Sequence, residues 1–274
     1  MIDFAPDLTF DVWMSAVQAD VEAALEAALP PETQIPTRLH QAMRYSALGG
    51  GKRVRPLLAY AAGALSQAPV AMLRAVAVAV ECIHVYSLIH DDLPCMDDDV
   101  LRRGKATCHI AFDEATALLA GDSLQTLAFE VLSQAQLPVA PSQQVALLRI
   151  LSQASGSRGM AGGQAIDLAS VGQTISLAEL ENMHHHKTGA LIRASLLLGA
   201  EAGNPLSEQQ RQALAVFAQA VGLAFQVVDD VLDTVADTAT LGKTAGKDAA
   251  HDKPTRHPPT IVLPTRSPSP SHRP

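Results

Sequence analysis

The chain has 274 residues, 48% of them apolar, and a formal net charge of -8. That is enough for one large domain or two small ones with a sizeable core. No long basic stripe is present, so nucleic acid is not an expected partner. Three cysteines without paired spacing (Cys82, Cys95, Cys108) speak against a disulfide framework or zinc, and fit a reducing cytoplasm.

Alanine and leucine dominate the apolar fraction, and β-branched residues form no alternating runs, which predicts an all-α protein. The start of the chain carries Asp3, Asp7 and Asp11 and no basic leader, so no secretory signal is expected there. A first amphipathic helix is predicted over residues 7–29, with Val17, Val21, Leu25 and Leu29 at i+4 spacing, ended by Pro30 and Pro31. A second spans 37–48 and stops at Gly49, Gly50 and Gly51; a third follows Pro56. The fourth, 70–92, is apolar almost all round, as expected of a helix central to a bundle. Arg74, Glu81 and His84 interrupt it, which argues against a membrane span. Pro94 breaks it, and a polar loop runs to His109. Further helices are predicted over 114–134, 142–167 (divided, on one reading, near residues 156–163), 176–201 and 207–235. Long helices with short links and no repeat give a single helical bundle. The last 19 residues, 256–274, hold six prolines and read as a disordered tail beyond a domain of residues 1–255.

Charge is concentrated in two places. Asp91, Asp92, Asp97, Asp98 and Asp99 lie within nine positions, and such a cluster repels itself unless a cation joins it. Asp229 and Asp233 fall on one helix face, with Asp230 between them. Either group alone could be a solvated helix face or a cap. Together, at two helix ends, they suit magnesium, which prefers oxygen from a few carboxylates plus substrate phosphates. Cations that could hold a polyanion accompany them: the glycine-rich loop with Lys52, Arg53 and Arg55, then Arg102, Arg103, Lys187, Lys243 and Lys253. The loop lacks the spacing of a nucleotide P-loop.

The segments Gly-Gly-Lys-Arg-Val-Arg-Pro, Leu-Ile-His-Asp-Asp-Leu-Pro-Cys-Met-Asp-Asp-Asp, Arg-Arg-Gly, His-Lys-Thr-Gly-Ala-Leu and Phe-Gln-Val-Val-Asp-Asp-Val-Leu-Asp occur in that order. From about residue 35 to Thr255 the chain resembles the trans-prenyltransferase family, most of all its bacterial farnesyl diphosphate synthases. The resemblance implies the isoprenoid synthase bundle around a central cavity, and a set of roles. Asp91 and Asp97 would bind Mg2+, supported by Asp92; Asp229, backed by Asp230 and Asp233, would do so from the second motif. Arg102, Lys187 and Lys243 would contact the allylic diphosphate (dimethylallyl or geranyl), with Lys253 near it. Lys52, Arg55, His84 and Arg103 would form the isopentenyl diphosphate pocket. Thr188 and Gln226 would lie beside the nascent allylic cation. A homodimer is implied in the same way.

Ionisation of a diphosphate needs stabilisation of departing negative charge, which metals and fixed cations supply. No nucleophilic Ser, Cys or His set is required, and none is suggested. Tyr86 lies five residues before Asp91, roughly 7–8 Å along a helix. Beside the small Ser87, its ring would floor a cavity of modest depth, which in the family goes with a fifteen-carbon product. An ordinary core tyrosine would look the same. His184, His185 and His186 point in different directions on a helix and cannot all bind one ion. The segment from Met160 to Asp167 resembles a cavity-lining stretch without a named catalytic role. After Thr255 the resemblance stops abruptly, as a shifted reading frame or a wrong terminal exon would make it. Rival readings are a geranyl- or geranylgeranyl-forming enzyme, a terpene cyclase, or an inactive shortened relative. The second aspartate motif and the Lys52–Arg55 pocket favour chain elongation over cyclisation.

Overall fold

The computed structural model describes residues 9–134, 136–173 and 175–235, without the side chains of Leu223 and of residues 226–235. Within the described residues the protein is all-α apart from one short hairpin. α1 (Phe10–Ala28) buries Trp13, Val17, Val21 and Leu25, about one residue per turn, against α3 (Val54–Leu65) and α4 (Val70–Asp91). α2 (Thr37–Ala47) presents His40, Ala42, Met43 and Ala47 inward. α4 is the axis: it packs against α1, α2, α3, α6 (Glu114–Ser133) and α10 (Ala190–Glu201). Every residue from Met72 to Ile83 except Arg74 and Ala75 is buried, as the all-round apolar pattern predicts. α4 is long and apolar enough to cross a membrane, but 78% of its most apolar window is covered by the rest of the bundle.

Two differences from the sequence expectations, and one alternative left open there, have local causes. α3 begins at Val54 rather than after Pro56. The proline sits in the first turn, where backbone N–H groups have no intrahelical partner to lose. Of the two readings of 142–167 the divided one holds: α7 (Pro141–Ser155) and α8 (Met160–Ala169) are separated at Gly156–Gly159. The polar loop after α4 contains a hairpin, β1 (Leu101–Arg102) with β2 (Lys105–Ala106), Leu101 opposite Ala106 and Arg102 opposite Lys105. Its turn residues Arg103 and Gly104 have φ of 53° and 75°, the left-handed pair that suits the twist of a two-residue hairpin.

α5 (Cys108–Ala111) leads into α6. α9 (Leu177–His184) starts with a reciprocal Ser176–Glu179 capping box. A π-helical turn, His185–Gly189, joins α9 to α10, so the expected 176–201 helix carries one widened turn. α11 (Glu208–Val235) packs on α10 and on that turn. The boundary at residue 255 and the tail of 256–274 lie outside the described residues.

Asp113 caps α6: its carboxylate accepts from the Thr116 amide (2.7 Å) and hydroxyl (2.9 Å), and pairs with Arg38 of α2 at 2.8 Å. The Thr116 amide first, then Arg38 and the Thr116 hydroxyl, hold its pKa down to about 2. A carboxylate depressed on folding stabilises above its unfolded value and loses that contribution as pH falls through the folded one. Asp113→Ala therefore lowers the melting temperature at pH 7, and the deficit relative to the parent shrinks from about pH 4 towards pH 2. Melts recorded across that range by circular dichroism check it. An unchanged melting temperature at pH 7 would refute the capping role.

Candidate active site

The C-terminal end of α4 and the loop after it form an acidic turn. Asp91 is the last helical residue and Asp92 the cap. The loop folds back so that the Asp97 amide donates to the Asp91 carbonyl (2.8 Å), Asp98 to Leu93 (3.1 Å) and Asp99 to Asp92 (3.2 Å). These backbone bonds bring Asp97 beside Asp91 across a five-residue gap that contains Pro94. Both residues are partly exposed, whereas Asp92 is only 3% exposed.

Asp92 is taken by an arginine. Arg102 Nε lies 2.8 and 2.9 Å from its two oxygens and Nη2 lies 2.5 Å from Oδ1. Burial pushes Asp92 above the usual carboxylate range, Arg102 opposes the shift and the Asp99 charge adds to it. Sequence reasoning grouped Asp92 with the metal residues. Both its oxygens accept from Arg102, so Asp92 orients that guanidinium, while Asp91 and Asp97 stand on the more exposed rim of the turn. Arg102 also lies 3.6 Å from Asp99.

A cationic cluster adjoins this turn. His84, two turns before Asp91 on α4, is held well below the ordinary imidazole value, first by burial and then by the charges of Arg55, Arg103, Arg102 and Arg53. It is a ring kept neutral within reach of the charges of four arginines. Arg103, at the hairpin turn, donates from Nη1 to the Gly50 carbonyl (3.1 Å) and fixes the hairpin to the glycine-rich loop. Lys52 is exposed, and its carbonyl accepts from Gln18 Nε2 at 3.0 Å. A cavity of about 100 Å³ touches Gly49, Gly50, Asp92, Arg102, Arg103 and Thr107. A wider open groove, about 840 Å³, runs along the end of α1 past Glu26, Arg44, Tyr45 and Lys105 and includes none of the predicted site residues.

Lys187 and Thr188 lie on the π turn. Lys187 Nζ is 2.6 Å from Asp167 Oδ2, and Asp167 is buried on α8. α8 approaches the turn closely enough at Gly163 that a methyl there would overlap the Lys187 backbone. The Met160–Asp167 segment, which sequence reasoning left without a role, thus orients this lysine. Tyr86 is 7% exposed and edge-on to His90 at 5.7 Å; burial raises its pKa and Gln125 of α6 opposes the shift. Ser87 Oγ donates to the His84 carbonyl at 2.8 Å. Gln226, Asp229, Asp230 and Asp233 are on α11, but their side chains are not among those described, and Lys243 and Lys253 lie outside the described residues.

The donors of the acidic turn fit a hard divalent ion: two carboxylates on one rim, as magnesium takes. Cys95, exposed on the same loop, is a soft ligand unsuited to it. Among the described residues no three His, Cys, Asp or Glu side chains are grouped to hold a metal. An ion at Asp91 and Asp97 would need further oxygen ligands, which for magnesium are water and phosphate.

Fold and site together define an all-helical bundle with an acidic turn and a guanidinium cluster side by side at one end of its central helix. The chain belongs to the Polyprenyl synthetase family, whose sequence profile matches residues 36–262. It is 49% identical over 225 residues to the farnesyl diphosphate synthase of Escherichia coli K12, an alignment spanning 82% of this chain and 75% of that one. It is 48% identical over 216 residues to a heterodimeric geranylgeranyl pyrophosphate synthase large subunit of Arabidopsis thaliana, spanning 77% of this chain and 57% of that one. Among solved structures it is similar to an FPP/GFPP synthase from Zymomonas mobilis (TM-score 0.78, 45% identity, 84% of each chain). It is also similar to a geranyltransferase from Helicobacter pylori solved with magnesium and isoprenyl diphosphate (TM-score 0.77, 36% identity, 89% of this chain and 82% of that one).

Proposed function

We propose that this chain is a magnesium-dependent, chain-elongating prenyltransferase. It joins isopentenyl diphosphate to dimethylallyl or geranyl diphosphate, forms farnesyl diphosphate and releases diphosphate. The observation that carries the reading is that Arg103, bonded to the glycine-rich loop, and Arg102, bonded to Asp92, lie beside the Asp91–Asp97 turn. A protein that gathers several arginines next to neighbouring carboxylates is arranged for a polyanion bridged by metal. The farnesyl diphosphate synthase relatives supply the substrate class.

In this reading Asp91 and Asp97 hold magnesium from the first motif, and Asp229, with Asp230 and Asp233, holds it from the second. When bound, the ion neutralises charge that develops on the departing diphosphate. Arg102, oriented by Asp92, and Lys187, oriented by Asp167, bind that allylic diphosphate, with Lys243 and Lys253 adding positive charge. Lys52, Arg55 and Arg103 clamp the diphosphate of isopentenyl diphosphate, and His84 offers a neutral N–H to it. Holding both substrates replaces a bimolecular encounter by a fixed one. Thr188 and Gln226 present oxygen dipoles to the allylic cation. The released diphosphate takes the proton lost after carbon–carbon bond formation. The proposal includes a homodimer, supported by the outward Leu118 and Leu119 of α6, and a cytoplasmic location, supported by the unpaired thiols.

The test is incubation of the purified chain with radiolabelled isopentenyl diphosphate and geranyl diphosphate, with magnesium or with a chelator. Magnesium-dependent farnesyl diphosphate is the expected product; no condensation in either arm sinks the reading. The geranylgeranyl- and GFPP-forming relatives keep longer products as the second reading, and Tyr86 separates the two. Its ring lies on α4 just under the acidic turn, braced by His90 and Gln125. Tyr86→Ala shifts product from fifteen to twenty or more carbons, read by reverse-phase chromatography. An unchanged product means that Tyr86 is not the floor.

A further inference from the structure

The glycine-rich loop has three consecutive glycines, all at positive φ (89°, 95° and 134°). Such a segment has much freedom to lose when a ligand fixes it. Arg53 stands at its end and the Arg103 guanidinium lies on the Gly50 carbonyl and against Gly51, and like charges repel. The loop is nevertheless held, and the holding group is on α1, far in sequence from either aspartate motif. Glu22 Oε1 accepts the Gly49 N–H at 2.7 Å, and Glu22 Oε2 pairs with Arg53 Nη2 at 2.6 Å. One carboxylate thus grips both ends of the loop. Arg53 is itself locked: its Nη1 reaches the buried Glu81 of α4 at 2.7 Å, its Nη2 the Ala47 carbonyl at 2.8 Å, and its φ is 49°.

Two carboxylates face one arginine here, leaving one surplus negative charge. Arg103 feels both Glu81 and Glu22, while its side chain rests 2.7 Å from where a Gly51 β-carbon would stand. Although burial acts to raise the Glu22 pKa, Arg53 and the Gly49 and Gly50 amides outweigh it, so this carboxylate stays ionised at neutral pH.

We propose that Glu22 is a positioning residue for the isopentenyl diphosphate pocket. It presets the Gly49–Arg53 segment and balances the converging cations, so that Lys52 and Arg55 meet the diphosphate with little reorganisation. The inference rests on the function proposed above. Glu22 is a better probe than Glu81, because its side chain is 36% exposed and Glu81 is closed in the core.

The experiment uses the full chain and Glu22→Gln, which keeps shape and removes charge, with Glu22→Asp as the charge-retaining variant. Calorimetry measures the affinity for isopentenyl diphosphate and, separately, for geranyl diphosphate with magnesium; initial rates give KM for each. The expected result for Glu22→Gln is isopentenyl diphosphate binding weakened about tenfold, the scale of one charged hydrogen bond. Its KM rises in step, geranyl diphosphate affinity and melting temperature hold, and Glu22→Asp is intermediate. Unchanged affinity for isopentenyl diphosphate overturns the inference. So does an equal loss for both ligands alongside a fallen melting temperature. If the parent binds isopentenyl diphosphate and condenses nothing, the function reading fails and the Glu22 result still stands on binding; if it binds none, both fall.

Discussion

Asp91→Ala lowers kcat for condensation about 10³-fold, the scale of removing one preorganised electrostatic group from a charge-separating transition state. The fold tolerates the change. The bond that closes the acidic turn runs from the Asp97 amide to the Asp91 backbone carbonyl, which alanine also has. What is lost is a carboxylate that the proposed reading assigns to the ion. Raised magnesium recovers part of the Asp91→Ala rate by mass action. It does not recover Asp92→Asn, because that carboxylate is bound to Arg102 and its loss disorders a guanidinium instead. Initial rates against magnesium concentration separate the two variants. A rate for Asp91→Ala within about tenfold of the parent, at a scale where a single weak contact would account for it, removes Asp91 from the metal site.

The largest stability loss is expected at Glu81→Leu, about 3–5 kcal/mol in urea unfolding. Arg53 and Glu81 form an ion pair with side chains 1% and 2% exposed. Removing the acid leaves a guanidinium closed in the core with Glu22 and the Ala47 carbonyl as remaining partners. A loss of that size is a large part of the about 5–15 kcal/mol that holds a domain folded. The double variant Arg53→Met/Glu81→Leu is expected to recover most of it, since apolar groups of similar volume need no counter-charge. If the double variant is as unstable as the sum of its singles, the pair is not coupled and the account of the loop anchor is wrong.

The helices were legible because apolar periodicity and proline and glycine punctuation act locally. α1, α2 and α4 fall where the apolar pattern and the breaks at Pro30, Gly49 and Pro94 put them, and α6 falls on the predicted 114–134 span. The acidic turn and the cations were legible as residue types. Their partners were not. Glu22 and Glu81 come from α1 and α4 and Arg53 from the loop before α3; they meet only through tertiary packing, so no spacing rule links them. Asp167 and Lys187 are separated by twenty residues and a chain reversal. Arg102 was read as a phosphate contact and Asp92 as part of the metal set. Their mutual ion pair shows how a buried carboxylate beside an arginine is satisfied before any ligand arrives. The π turn escaped notice because one extra residue in a helical turn leaves composition unchanged.

Gly121 sits inside α6, where glycine is a poor helix former. In the fold it is a notch into which the His90 ring projects, and a methyl group there would overlap that ring. The imidazole is pinned by the Leu118 carbonyl at 3.0 Å and stands edge-on to Tyr86. The tyrosine's seat is therefore machined from the neighbouring helix as much as from its own: a hydrogen atom at position 121 decides how far back an aromatic wall two side chains away can lean.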